Sequence, residues 1–85
     1  MHTAELVFTY RSPEAAALVA DAVAGEMGEL DDDRASATLG RTAAEVRIEI
    51  EAADLVALRA GLNTWTSLVE VGERAAEAGR PGDVL

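Results

Sequence analysis

AAEVRIEIE, residues 43–51, alternates without a break. Ala44, Val46, Ile48 and Ile50 fall on one side; Glu45, Arg47, Glu49 and Glu51 fall on the other. That period of two marks a strand with one buried and one wet face. The wet face is too charged to be covered, so the rest of the chain must pack against the aliphatic face. TAELVFTY (3–10) repeats the pattern, with Ala4, Leu6, Phe8 and Tyr10 opposed to Thr3, Glu5, Val7 and Thr9. RASATLG (34–40) is a weaker strand carrying Ala35, Ala37 and Leu39 on one side, and Gly40-Arg41-Thr42 reads as the turn that follows it.

Two helices complete the pattern. Ser12 is a good N-cap and Pro13 suits a first helical turn. The spacing predicts a helix from about 13 to 27 that buries Ala15, Leu18, Val19, Ala22 and Val23, with Gly25 and Gly28 at its end. A second helix runs from about 53 to 78. The order is β-α-β-β-α. A right-handed crossover makes strands one and two parallel. The short link makes strands two and three antiparallel, so an all-antiparallel sheet needs strand three in the middle. The expected fold is α+β: a two-layer β-α-β-β-α domain, with a three-stranded antiparallel sheet (order 1-3-2) and two helices on one face. Residues 1–78 form one domain, and GRPGDVL (79–85) is expected as a flexible tail. The arrangement looks like a ferredoxin-like fold without its last strand. Strand one is then left at an open edge, and open edges invite pairing.

The second helix contains DLVALRAGLNTWTSLVEVGERAA, residues 54–76. At about 100° per residue, its apolar and small residues span an arc of roughly 200°. They include Leu55, Leu58, Leu62, Leu68, Trp65, Val69, Val71 and Gly72. Covering a sheet needs a stripe of about 100° or a little more. The surplus has two readings: the core of a small alanine-rich domain, or a face that docks a partner's helices.

Composition bounds the function. With 85 residues the chain makes one small domain, a size at which an oligomer or partner helps stability. There is no cysteine, hence no disulfide and no thiolate metal site. The only histidine is His2, at the terminus, so a Ser-His-Asp or Cys-His device could be assembled within one chain only through it, and none is expected. Asp31-Asp32-Asp33 lacks the ligand spacing of a calcium loop and reads as a solvated acidic loop. Gly25-Glu26-Met27-Gly28 matches the GxxG of an RNA-clamping loop, but Glu26 would repel phosphate, so a helix C-cap is expected instead. Sixteen acidic residues face seven arginines and no lysine, for a net charge of −9. That balance opposes independent nucleic-acid binding. It suits concentrated salt, where screening removes self-repulsion, and so suggests a halophilic archaeon. An acidic protein encoded by a GC-rich genome is the plainer reading. No membrane span or secretory leader is visible, and a cytoplasmic protein is expected.

Val46-Arg47-Ile48-Glu49-Ile50-Glu51-Ala52, followed by Asp54-Leu55, Leu58-Arg59-Ala60 and Leu62-Asn63-Thr64, resembles the Pcc-type subunit of the KEOPS tRNA-modification complex. That family opens its last helix with D-L-x-x-L-R-A-x-x-N-S. Residues 4–16, AELVFTYRSPEAA, also look like its first strand and helix start. The chain departs in having Thr64 for the usual Ser, in Trp65-Thr66 where a tyrosine or other large residue precedes an aliphatic, and in its acidity.

The resemblance implies a non-catalytic scaffold with no cofactor and no metal. It implies a homodimer whose helices dock the Kae-type catalytic subunit during threonylcarbamoyladenosine synthesis, with tRNA met only through the complex. Combined with the residue pattern, it points to two surfaces. Leu6, Phe8 and Tyr10 mark a dimer edge. Leu58, Arg59, Leu62, Asn63, Trp65, Leu68, Val69 and Gly72 mark a partner-helix docking face. A ferredoxin-like small-molecule regulatory domain and a stand-alone RNA-binding module are the competing classes.

Overall fold

In the computed structural model, residues 1–25 and 35–78 are described. The elements are β1 (His2–Thr9), α1 (Pro13–Ala24), β2 (Ala35–Thr42), β3 (Glu45–Ala52) and α2 (Leu55–Ala78). The three strands form one sheet in the order β1-β3-β2, and both pairings are antiparallel. The expected α+β architecture and strand order are therefore observed. The acidic loop, the GxxG positions beyond Gly25 and the expected tail lie outside the described residues.

The sheet follows from side-chain alternation. Val46, Ile48, Ile50 and Ala52 of β3 are buried, while Arg47, Glu49 and Glu51 are exposed. Register on the β1 side runs unbroken from His2 opposite Ala52 to Thr9 opposite Glu45, so Leu6 lies beside Ile48 and Phe8 beside Val46. Leu39 reaches Ile48 from the β2 side. The apolar face thus forms one layer. Val19 and Val23 of α1 and Trp65, Val69 and Ala76 of α2 close over it.

α1 begins as its sequence dictates. The Ser12 Oγ accepts the Ala15 N–H at 3.1 Å, and Pro13 occupies the first turn. Its buried face is Ala15, Ala16, Val19, Ala20 and Val23. Leu18, expected inside, is exposed, and Ala22 is only half-buried. The stripe is rotated by one position because alanines, not leucine, meet the sheet. α1 ends at Ala24, earlier than expected, and Gly25 keeps a right-handed helical conformation rather than a left-handed cap. α2 has a cap of its own: the Asp54 Oδ1 accepts the Ala57 N–H at 2.7 Å.

The β2–β3 turn differs from expectation. Gly40, Arg41 and Thr42 belong to β2, and the turn is Ala43-Ala44, with Thr42 opposite Glu45. Ala43 has φ of 52°, the left-handed region that a two-residue hairpin demands at its first central position. Arg41 steadies it by donating from Nη1 to the Ala43 carbonyl at 3.0 Å. Keeping Leu39 beside Ile48 extends β2 through Gly40, overriding the glycine's turn preference.

Candidate interaction surfaces

Tyr10, just past β1, is half-buried and its hydroxyl donates to the Glu73 Oε2 at 2.7 Å. Burial, then the hydrogen bond to Glu73, then the charge of Glu73 push the Tyr10 pKa above its ordinary value. This bond joins the end of the first strand to the C-terminal half of α2. Leu6 and Phe8 are also half-buried, packed against the core from the sheet's rim. The expected edge residues are therefore together, on the helix-facing side of β1.

The backbone of β1 presents the edge itself. Tyr10 N–H donates to the Ala44 carbonyl at 2.8 Å, which fixes the phase of the ladder. Antiparallel alternation then turns the backbone groups of Ala4, Leu6 and Phe8 toward β3 and those of Thr3, Glu5, Val7 and Thr9 outward. Among the described residues, β1 has a strand neighbour, β3, on one side only. It contains no Pro, Gly or Lys and no bulge, the usual devices that blunt an edge.

The wet face of the sheet is charged. Arg47 spans two carboxylates, with Nη1 at 3.0 Å from Glu5 and Nη2 at 3.0 Å from Glu45. All three side chains are substantially exposed, so the bridges organise the surface more than they stabilise the fold.

The expected docking residues divide into two groups. Trp65 is 4% exposed, Val69 is 1%, and Gly72 is buried. These three face the chain's own core, which corrects their assignment to an outer face. Gly72 sits where a Cβ would come within 3.0 Å of Val23 Cγ2, so its bareness serves the α1–α2 contact. Leu58 and Leu62 are half-buried and lean on the same core. Arg59 and Asn63 are exposed, and Leu68 lies at the boundary.

What remains outside is a flank that hydrophobicity alone did not single out. An open groove on α2 is lined by Asn63, Thr64, Ser67, Leu68 and Val71. At about 100° per residue, Ala60 and Ala75 fall on the same flank. Val71 is 53% exposed. The five lining residues carry no charge in a chain whose composition is 27% charged, and Arg74 enters the same arc one turn further along. Leu55, at 60% exposed, and Val56, at 72%, add apolar surface at the start of the helix.

No cluster of three or more metal-ligating side chains occurs among the described residues. Likewise, no described helix is long and apolar enough to cross a membrane. The features the fold does bring together define a small two-layer α+β module with an uncharged groove on its last helix. The family profile described as transcription factor Pcc1 matches residues 3–77, and the chain belongs to the Pcc1 family. A search of curated proteins found no match.

Proposed function

We propose that this protein is a non-catalytic, dimerising scaffold subunit of the KEOPS complex, which docks the Kae-type catalytic subunit for threonylcarbamoyladenosine synthesis on tRNA. The observation that carries the docking role is the uncharged flank of α2 around Asn63, Thr64, Ser67, Leu68 and Val71. Partner helices pack on such a surface by fitting ridges into grooves. Arg59, one turn before Asn63, supplies a polar rim residue of a type frequent at interface hot spots. Trp65, Val69 and Gly72 then support the docking helix from beneath, with Leu58 and Leu62 beside them. The open edge of β1, backed by Leu6, Phe8 and Tyr10, supports the homodimer.

The family description names a transcription factor. Direct duplex binding by this chain is opposed by its net charge of −9 and by the pairing of Arg47 with Glu5 and Glu45, because nucleic-acid affinity comes largely from neutralised phosphates. tRNA contact is therefore assigned to the assembled complex. The acidity, with no lysine, supports a halophilic archaeal cytoplasm as the working environment.

The test is size-exclusion chromatography with light scattering in molar salt, alone and with the Kae-type subunit of the same organism. A dimer that enters a joint peak supports the scaffold role, and Val71→Glu should abolish that peak while leaving the dimer intact. A dimer that ignores the catalytic subunit removes the docking function.

A further inference from the structure

We infer that the partner seated on the α2 groove presents acidic side chains at both ends of the contact, one to Arg59 and one to Arg74, and that these two arginines select it. This rests on the docking role of the groove and names the chemistry that the groove recognises.

Arginine is scarce in this chain, so where each one goes is informative. Sixteen acidic residues compete for seven arginines, with no lysine to share them. Arg47 is held by Glu5 and Glu45, each at 3.0 Å. Arg41 donates to the Ala43 carbonyl, and Arg11 is engaged as well. Arg59 and Arg74 differ. Both are exposed, and neither forms an ion pair with any described residue. For Arg59 the helix explains this. Its neighbours three and four positions away are Leu55, Val56, Leu62 and Asn63, none of them acidic. Arg74 has Glu70 and Glu77 at those spacings and bridges neither. The adjacent Glu73 accepts from the Tyr10 hydroxyl.

The two arginines bracket the groove. At about 100° per residue, Arg74 lies within the arc that holds Asn63, Ser67 and Val71, and Arg59 lies about 40° beyond Asn63. At about 1.5 Å per residue they are about 22 Å apart along the axis. Between them the arc carries Ala60, Asn63, Thr64, Ser67, Leu68 and Val71, with no charge. The contact surface is therefore neutral in its middle and positive at both ends, on a chain of net charge −9. A helix of small or apolar residues fits the middle. Carboxylates beyond it meet the guanidinium groups, which take them through two parallel hydrogen bonds. A basic partner is repelled at both ends, so charge supplies a selectivity that the neutral centre lacks. Nucleic acid is a poorer occupant, since two arginines neutralise few phosphates against that net charge.

The absence of lysine makes the contact directly readable. Arg59→Lys and Arg74→Lys, made separately, each introduce a single side-chain amine. A water-soluble carbodiimide condenses an amine with a touching carboxylate to an amide, taking up the water lost. Each variant, mixed with the Kae-type subunit, is expected to give a cross-linked pair. Peptide mapping should place the two joined acids about 22 Å apart on the partner, matching the spacing along α2. Arg41→Lys, at the hairpin, should give no joint product.

Calorimetry on the same complex tests selectivity. The Kd is expected to rise about tenfold for Arg59→Gln or Arg74→Gln and about a hundredfold for Glu at either position, with Lys retaining most of the affinity. Both positions are exposed, so unfolding midpoints should move little. A complex that co-elutes but yields no cross-link, or equal affinity for the Gln and Glu variants, overturns the inference and leaves the docking role standing. Weaker tRNA retention by the complex with docking intact also overturns it, by assigning the arginines to phosphate. Failure of the unsubstituted chain to co-elute overturns the docking role, and this inference with it.

Discussion

The Tyr10 hydroxyl and the Glu73 carboxylate meet at 2.7 Å across 63 residues of sequence. The bond pins the end of β1 to α2, so the proposed dimer edge and the proposed docking helix share one polar fastening. Tyr10→Phe is expected to cost about 1–2 kcal/mol, the range for a hydrogen bond to a charged group in a partly exposed setting. Urea unfolding followed by far-ultraviolet circular dichroism measures it.

The same contact sets an alkaline limit. The folded Tyr10 pKa lies above the unfolded value of about 10. Its stabilisation is therefore complete below pH ~10, and stability falls as pH rises beyond that, because the unfolded chain loses the proton first. Tyr10 is the only tyrosine, so absorbance of the phenolate reports it alone. Tyr10→Phe should flatten the loss; an equally steep loss in that variant would exclude Tyr10 as its source.

Trp65 and Val71 lie on one helix and should behave oppositely. Trp65→Ala empties a buried site and is expected to cost about 3–5 kcal/mol, a large part of what a domain this small has. Val71→Glu, at an exposed position, should change the unfolding midpoint little and abolish co-elution with the catalytic subunit. Denaturation curves beside chromatography separate the two effects.

Ala43 holds a backbone conformation that costs an L-residue roughly 1–2 kcal/mol. Ala43→Gly relieves it and gives back part of the gain as unfolded-state entropy. A net stabilisation of about 0.5–1 kcal/mol is expected. A lower midpoint would mean that the turn is not strained.

Salt should stabilise the chain. Glu5, Glu45, Glu49 and Glu51 share the wet face with Arg47 alone in β1 and β3. Raising sodium chloride from ~0.1 M to ~1 M shortens the screening length from about 10 Å to about 3 Å. The thermal midpoint should rise across that interval. A flat profile would count against adaptation to a saline cytoplasm.

The sheet was legible because β3 alternates so cleanly that its charged face dictates where both helices must go. Strand order followed from that and from chain connectivity. The turn was misplaced because Gly40 advertises a bend while Ala43-Ala44 advertises none; only the register of Leu39 with Ile48 decides between them. Trp65 looked like an anchor for a partner because a helical wheel says which residues share a side, not which direction the sheet lies. The groove was found only in part, through Asn63 and Leu68: Thr64 and Ser67 say little singly, and their value lies in the absence of charge beside Leu68 and Val71. Glu73 could not be found at all, since nothing local to it indicates Tyr10.

Both helices cover the same face of the sheet. A homodimer that continued the sheet through β1 would keep it so, with four helices above and the carboxylate-bearing surface below. Two catalytic subunits would then be held as neighbours, approaching from one side and sharing one horizon. A tRNA, itself an anion, would be turned away from the underside and toward the side where the chemistry is carried.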